Sequence, residues 1–393
     1  VPGPLHGIRV IDLTAMASGP FATCILADQG ADVIKIEPPG KGDLIRHIGA
    51  TRGGMSAIFN TLNRGKRSVV LDLREARGAE LLRQLAVDAD VFVQNFRPGV
   101  VDRLGIGEGD LRPLAPDLIY VSISGFGEKG PYTQRRVYDS VMQAVSGIAG
   151  HQADPETGVP EFVHNIICDK GTALTTAQAI SAALFARERG SGGQHVKISM
   201  LHASIAFLWP DGLQSHTYLG GDPPPKGPAT LPAIRRTADG YMTITAIKDA
   251  EYTALCRALD CTDLVDDPRF AEAGNRARNA KAFHELITPL TEALTTAELS
   301  ARLEAEDVPH AVVTMPDSIH EHPQVVANDL LVETDHPTAG RMRNPRPVGD
   351  FDRTPCRISR PAPSLGQHTD EVLSELGISA AELSALRKSG TVQ

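Results

Sequence analysis

Cysteine is scarce in this chain, and the five present (Cys24, Cys168, Cys256, Cys261 and Cys356) form no C-x-x-C pair. An odd, scattered set argues against a disulfide framework or a cysteine zinc site and fits a reducing compartment. Basic residues are outnumbered, 39 against 48 acidic, for a formal net charge of −9. That balance disfavours nucleic acid as the main partner, because neutralising phosphates needs a net basic face. It leaves room for a small anion held by a local Arg or Lys cluster. No stretch approaches the roughly 18 consecutive apolar residues of a membrane span. The opening VPGPLHGIRV has no basic region followed by an apolar one. A cytoplasmic protein without a membrane span is therefore expected.

What is present is alternation. GIRVIDLT (7–14), ADVIKIE (31–37), SVVLDL (68–73), DVFVQNF (90–96), DLIYVSISGFG (117–127) and GQHVKISM (193–200) read as strands. They are apolar on both faces, as buried parallel strands are. Helical patterns lie between them at 19–30, in EARGAELLRQLAVDA and at 170–188. The strand–helix alternation predicts an α/β fold with a Rossmann-like large domain. The Pro/Gly-rich 220–232 reads as a linker. A further strand at 240–247, followed by helical patterns, predicts a smaller α+β domain. The predicted boundaries are 1–219 with 331–393 for the large domain and 220–330 for the small one with its linker. Residues 335–367 read as extended, and the end of the chain as two short helices. No internal repeat is visible.

Several motifs fail their own requirements. The first strand–turn–helix, DLTAMASGPF, lacks G-x-G-x-x-G, so Glu37 reads as structural rather than as a ribose ligand. NRGKRS (63–68) resembles the end of a P-loop, yet Asn60 stands where the first Gly is required and a strand follows instead of a helix. Arg64, Lys66 and Arg67 remain as a basic cluster or a solvated turn. No G-x-S-x-G elbow exists. His320 and His322 in HEHP have no metal-ligand spacing, and no metal site is predicted. Asp169 opens a long small-residue helix after the apolar FVHNII and Cys168. One reading is a helix N-cap. The other is a carboxylate kept ionised by the helix N-terminus and able to attack a thioester.

Strings along nearly the whole chain carry a resemblance. They are PLHGIRVIDLT, GADVIKIEPPGKGD, NRGKRSVVLDL, VFVQNFRPGVVDRLG, YVSISGFGEKGPY, YDSVMQAVSG, CDKGTALTTAQAISAAL, GGQHVKISM and PSLGQHTDEVLSELG. Nine in order are specific where any one is weak. The chain resembles the family III CoA-transferases, the CaiB/BaiF group that includes formyl-CoA and carnitine CoA-transferases. The resemblance implies Asp169 as a nucleophile, passing through an aspartyl anhydride and an aspartyl–CoA thioester. CoA enters as substrate, with no tightly bound cofactor, and the acceptor is a small carboxylic acid. It further implies an interlocked homodimer.

The same resemblance places CoA-binding roles on particular residues. Met16, Ala17 and Ser18 would lie along the pantetheine arm. Leu71 and Arg74 would hold the adenine and phosphate end, with Asn95, Phe96 and Arg103 continuing that surface. Arg136 would meet the phosphates, and Tyr138 would sit near the thioester. Two departures stand out. Formyl-CoA transferases have Gln where this chain has Ala17, and their glycine-rich flap is not recognisable in 235–262.

Two other functions stay open. The 2-methylacyl-CoA racemases of the same superfamily exchange an α-proton and carry His-Asp where this chain has Tyr138 and Asp139; tyrosine, with an ordinary pKa of about 10, is a poor base. A non-catalytic acyl-CoA-binding protein on the same fold is the other.

Overall fold

The structure is a computed structural model that describes residues 1–154, 156–220 and 234–393. The predicted linker at 220–232 therefore lies, apart from Gly220, outside the described residues. All six predicted strands of the first half form. They are β1 (Arg9–Leu13), β2 (Asp32–Glu37), β3 (Arg67–Val70), β4 (Val91–Gln94), β5 (Ile119–Ser124) and β6 (His195–Ser199). Every pairing is parallel and the spatial order is β3-β2-β1-β4-β5-β6. This is the doubly wound order, which reverses between β1 and β4.

Alternate residues of each strand feed separate cores. Ile11, Ile34, Phe92 and Tyr120 face one apolar layer, completed by Leu81, Leu82 and Leu85 of the helix Ala76–Val87 and by Val372 and Leu386 from the C-terminal helices Thr369–Glu375 and Ala380–Ser389. Val10, Val33, Val91 and Val121 face the other layer. There α1 (Ser18–Asp28) lies beside a helix spanning Ile167–Ala186, with Ala22 and Leu26 against Ala173, Ala177 and Ile180. Small side chains let these two helices approach each other and the sheet closely. Both begin at the carboxyl ends of the strands, so their N-termini converge.

The chain divides into two compact units, Val1–Gln214 with Asp329–Gln393, and Ser215–Asn328. The second has an antiparallel sheet of Ile234–Arg236, Tyr241–Ile244 and His310–Val312. Helices Asp249–Ala258, Ala280–Glu292 and Thr296–Ala305 accompany it. Its core contains Met242, Leu255, Phe270 and Leu299. Around the start of the stretch expected to be extended (335–367), Leu331–His336 and Gly340–Pro345 pair as an antiparallel hairpin.

The basic cluster is neither a solvated turn nor an anion site. Arg64 pairs with Asp28 at 2.7 Å, and Arg67 with Asp32 and Glu375, each at 2.5 Å. Lys66 pairs with Asp12 at 2.8 Å, and both side chains are completely buried. Lys66 Nζ also donates to the Pro20 carbonyl and to Asn63 Oδ1, while Asp12 accepts from Thr14 and Thr23. Burial alone would lift the Asp12 carboxyl; the ammonium groups of Lys66 and Lys35 overcome it and hold Asp12 well below the usual carboxylate range. Glu37 is structural as expected, gripped on both oxygens by Arg46 at 2.7 and 2.8 Å.

Truncating one member of a buried pair leaves the other charge unpaired. Lys66→Ala is expected to lose about 3–5 kcal/mol of stability in urea denaturation. The double variant Asp12→Leu/Lys66→Met should lose less than the sum of the two single losses.

Candidate active site

The loop after β1 is fixed at the point where the strand order reverses. Lys35 Nζ donates to the Thr14 carbonyl at 2.8 Å and pairs with Asp43 at 3.0 Å. Asp43 Oδ1 accepts from the Met16 N–H at 3.1 Å. From the other side of the crevice, Asn95 exchanges two hydrogen bonds with Ala15: the Ala15 N–H donates to Oδ1 (3.0 Å) and Nδ2 donates to the Ala15 carbonyl (2.8 Å). Met16 is held at φ +70°, a left-handed conformation unusual for a side-chain-bearing residue. Gly19 passes Thr14 so closely that a Cβ would stand 2.4 Å from the Thr14 Cβ, so no larger residue fits there. The result is a rigid turn that delivers Ser18 to the N-terminus of α1.

Ser18 meets Asp169. The helix Ile167–Ala186 begins two residues before Asp169, which therefore sits in its first turn. Asp169 is not the N-cap: that position is Ile166, which offers no side-chain bond. The first N–H groups are taken by Asp139, whose Oδ2 accepts from Cys168 at 2.8 Å and from Asp169 at 3.0 Å. Burial, reinforced by the Asp139 charge, pushes the half-buried Asp169 carboxyl up to about 6, against the partial pull of the Ser18 hydroxyl and N–H. The Cys168 and Asp169 N–H groups at the helix N-terminus are thus spent on Asp139. The donors that face the Asp169 carboxylate come from Ser18 instead. Cys168 is buried, and burial pushes its thiol up to about 11, so it stays neutral and is no rival nucleophile.

A cleft of about 290 Å³ is lined by Asn95, Phe96, Arg97, Arg135, Arg136 and Tyr138, among others; Ser18 and Asp169 do not line it, and Asn95 links it to the loop that leads to Ser18. The predicted residues Asn95, Phe96, Arg136 and Tyr138 therefore come together. Tyr138 is 56% exposed and immediately precedes Asp139. Phe96, which reads in isolation as a core residue, is exposed. Arg97 and Arg135 were not singled out from the sequence; they flank predicted residues in QNFRPG and QRRVY, and Arg135 stacks on the Tyr132 ring at 3.7 Å. Ala17 is buried among Ile45, Met55 and Phe59.

The remaining predicted contacts divide. Leu71 is buried in the core and its N–H donates to the Glu37 carbonyl, so it offers a ligand no side-chain surface. Arg74 is exposed and paired with Asp72 at 2.6 Å. Arg103 is exposed at the end of the short helix Val100–Arg103. A larger cleft, about 830 Å³ around Arg9, Asp32 and Arg357, contains none of the predicted site residues. Among the described residues there is no His/Cys/Asp/Glu cluster able to hold a metal ion, and no helix long and apolar enough to cross a membrane.

The chain is similar to known proteins along nearly its whole length. The profile of CoA-transferase family III matches residues 5–369. Human succinyl-CoA:glutarate CoA-transferase is 33% identical over 95% of this chain and 86% of its own length. Succinate–glutarate CoA-transferase of Agrobacterium fabrum is 34% identical, covering 95% of this chain and 96% of its own. The crystal structure of a CaiB/BaiF family protein from Brucella suis superposes with a TM-score of 0.83 at 30% identity, covering 96% of this chain and 100% of that one.

The raised Asp169 pKa has a consequence for folding. In the unfolded chain Asp169 ionises near 3.8, and in the folded protein near 6. Between those values the folded state binds more protons, so the ionised carboxylate costs stability as pH rises through this window, and the cost is complete above pH 6. Asp169→Asn is expected to raise stability at pH 7.5 by about 1–2 kcal/mol, less than a full two-unit shift because the group is partly open to water. The gain should vanish near pH 4 in parallel thermal melts.

Proposed function

The chain belongs to CoA-transferase family III, and on that footing we propose that it moves CoA from an acyl-CoA donor to a carboxylate acceptor through a covalent intermediate on Asp169. The observation that carries this reading is the Asp169 carboxyl itself, half-buried, raised to about 6 and faced by the Ser18 donors. At neutral pH it is mostly ionised, and its partial desolvation favours attack.

In the first step a carboxylate oxygen bonds to the acyl carbonyl and the C–S bond breaks, giving an aspartyl anhydride and CoA thiolate. The thiolate adds to the aspartyl carbonyl and expels the donor acid, leaving an aspartyl–CoA thioester. The acceptor carboxylate attacks that thioester, forming a second anhydride and freeing thiolate. Thiolate then takes the acceptor acyl group and restores Asp169. Every step exchanges one activated acyl species for another, so no ATP enters. This chemistry requires that water be kept from the anhydride.

The cleft with Arg97, Arg135 and Arg136 supports a role in holding the phosphates of CoA despite the net charge of −9. Asn95 acts by holding the loop that carries Ser18 as well as by lining that cleft. The human and Agrobacterium relatives described above are named for succinyl and glutaryl exchange, which puts short dicarboxylic acids first among substrates. Ala17 in place of Gln weighs against an oxalate specialist. A homodimer belongs to the same reading. Exposed apolar side chains at Val141, Val145, Leu174, Phe185 and Phe207 support it.

The decisive experiment is intact-mass spectrometry of wild type and Asp169→Ala after incubation with succinyl-, glutaryl- and other acyl-CoAs. A CoA- or acyl-sized adduct is expected on wild type alone and should be removed by hydroxylamine. No adduct, together with deuterium wash-in at the α-carbon of a 2-methylacyl-CoA, would replace this reading with racemisation. Steady-state kinetics of Arg136→Ala should show KM for acyl-CoA rising about tenfold with little change in kcat, as loss of a charge-assisted contact to a non-reacting group predicts.

A further inference from the structure

The first turn of the Asp169 helix is held from outside, by helix Asp139–Ser146. Asp139 and Gln143 lie at i and i+4 on that helix, so their side chains leave the same face. Both are more than nine-tenths buried, with exposures of 7% and 3%. Asp139 Oδ2 accepts from the Cys168 and Asp169 N–H groups, and Oδ1 accepts from Gln143 Nε2 at 2.6 Å. Gln143 also donates to the carbonyls of Val163 (3.2 Å) and Asn165 (3.0 Å) and accepts from the Val163 N–H (2.9 Å). Every backbone contact of the pair ends on 163–169, the segment that leads into and includes Asp169.

This is a costly way to cap a helix. A Ser, Thr or Asn at position 166 would satisfy an N–H without burying a charge. A buried carboxylate persists where it is fully hydrogen-bonded, as Asp139 is.

We propose that Asp139 and Gln143 are a positioning pair for the transfer reaction, fixing the main chain at Asp169 so that its carboxyl meets the acyl carbonyl in register with Ser18. The proposal rests on the reading of Asp169 as nucleophile. The pair does not touch the reacting atoms; it acts through the backbone of residues that do. The charge of Asp139 has a second effect, since together with burial it lifts the Asp169 carboxyl.

The surroundings of Asp169 leave this effect with one main electrostatic source. α1 presents Ser18, and helix Asp139–Ser146 presents Asp139. On its own helix Cys168 is neutral, and Lys170 turns its ammonium toward Asn165 Oδ1 at 3.5 Å. Helix Met200–Gly212 contributes the uncharged Ser204, beside Cys168.

The test compares wild type, Asp139→Asn and Gln143→Met in the rate of forming the hydroxylamine-labile adduct between pH 5 and 8, with KM for acyl-CoA measured alongside. Wild type is expected to show an acid limb near pH 6. Asp139→Asn keeps an acceptor oxygen but removes the charge. Its limb should move down, raising the ratio of labelling at pH 5 to that at pH 7.5 by about threefold or more, the change that half a pKa unit produces. Gln143→Met leaves the charge and loosens the tether. Its limb should stay in place while the maximal rate falls about tenfold or more at unchanged KM. If Asp139→Asn does not fold by circular dichroism, Asp139→Glu takes its place: it should keep the limb and slow the step, and a full rate would overturn the positioning role. Wild-type rate and limb in both variants would overturn the proposal while leaving Asp169 as nucleophile. A wild type that forms no adduct would instead remove the reading of Asp169 on which it rests.

Discussion

The Asp12–Lys66 ion pair is the constraint on which the site depends. It is completely buried and engages five parts of the chain: β1, the Thr14 turn, Pro20 and Thr23 of α1, Asn63 at the end of helix Ala57–Asn63, and the start of β3. A pair this deep is weak evidence of stability in itself, since its desolvation cost offsets much of its attraction. What it supplies is geometry. Its hydrogen bonds are met only when β1, α1 and β3 are in register. Lys35, Asp43 and Asn95 extend the same restraint to Thr14, Met16 and Ala15. Ser18 is thus placed by the interior of the sheet rather than by its own surface loop.

The second half of the site is placed by a different route. The helix carrying Asp169 crosses back between β5 and β6, so its N-terminus must lie near the carboxyl ends of the strands. Packing against α1 through small residues brings that N-terminus to Ser18. The last adjustment comes from helix Asp139–Ser146, whose buried polar face takes hold of 163–169. Two helix N-termini meeting at a switch point are a common place for an anionic group. Here one N-terminus is occupied by a protein carboxylate, Asp139, and the other faces the carboxylate of Asp169. The two acids are thereby held close enough for one to raise the pKa of the other, an arrangement seen where enzymes need a carboxyl poised nearer neutrality.

Much of this is legible in the amino-acid sequence. Runs such as VIDL and VFVQ, apolar on both faces, marked the six strands within a few residues at either end. The small-residue run from Lys170 marked the long helix, which starts three residues earlier because its cap is not local. The candidate nucleophile stood out at that helix start, and Asn95, Phe96, Arg136 and Tyr138 were named before the structure brought them to one cleft. The inward turn of the Leu71 side chain is not legible, because a residue just past the end of a strand has no pattern of its own to show which way it faces. The basic run at 64–67 looked solvated because its acidic partners, Asp12, Asp28 and Asp32, lie more than 30 residues upstream.

The amino-acid sequence by itself determined the strands, the helices between them, the kinship and the identity of the acid at position 169, all of which are carried by local pattern and by strings that can be read in order. Only the tertiary structure decided what state that acid is in. Its neighbours Ser18 and Asp139 are remote in sequence, and a pKa is set by burial and by charges a few ångströms away, neither of which is encoded in adjacent residues. The same holds for the loop at Ala15, closed by an amide 80 residues further on, and for a helix capped from 30 residues upstream. Such contacts exist only once the parallel sheet has brought the carboxyl ends of its strands together.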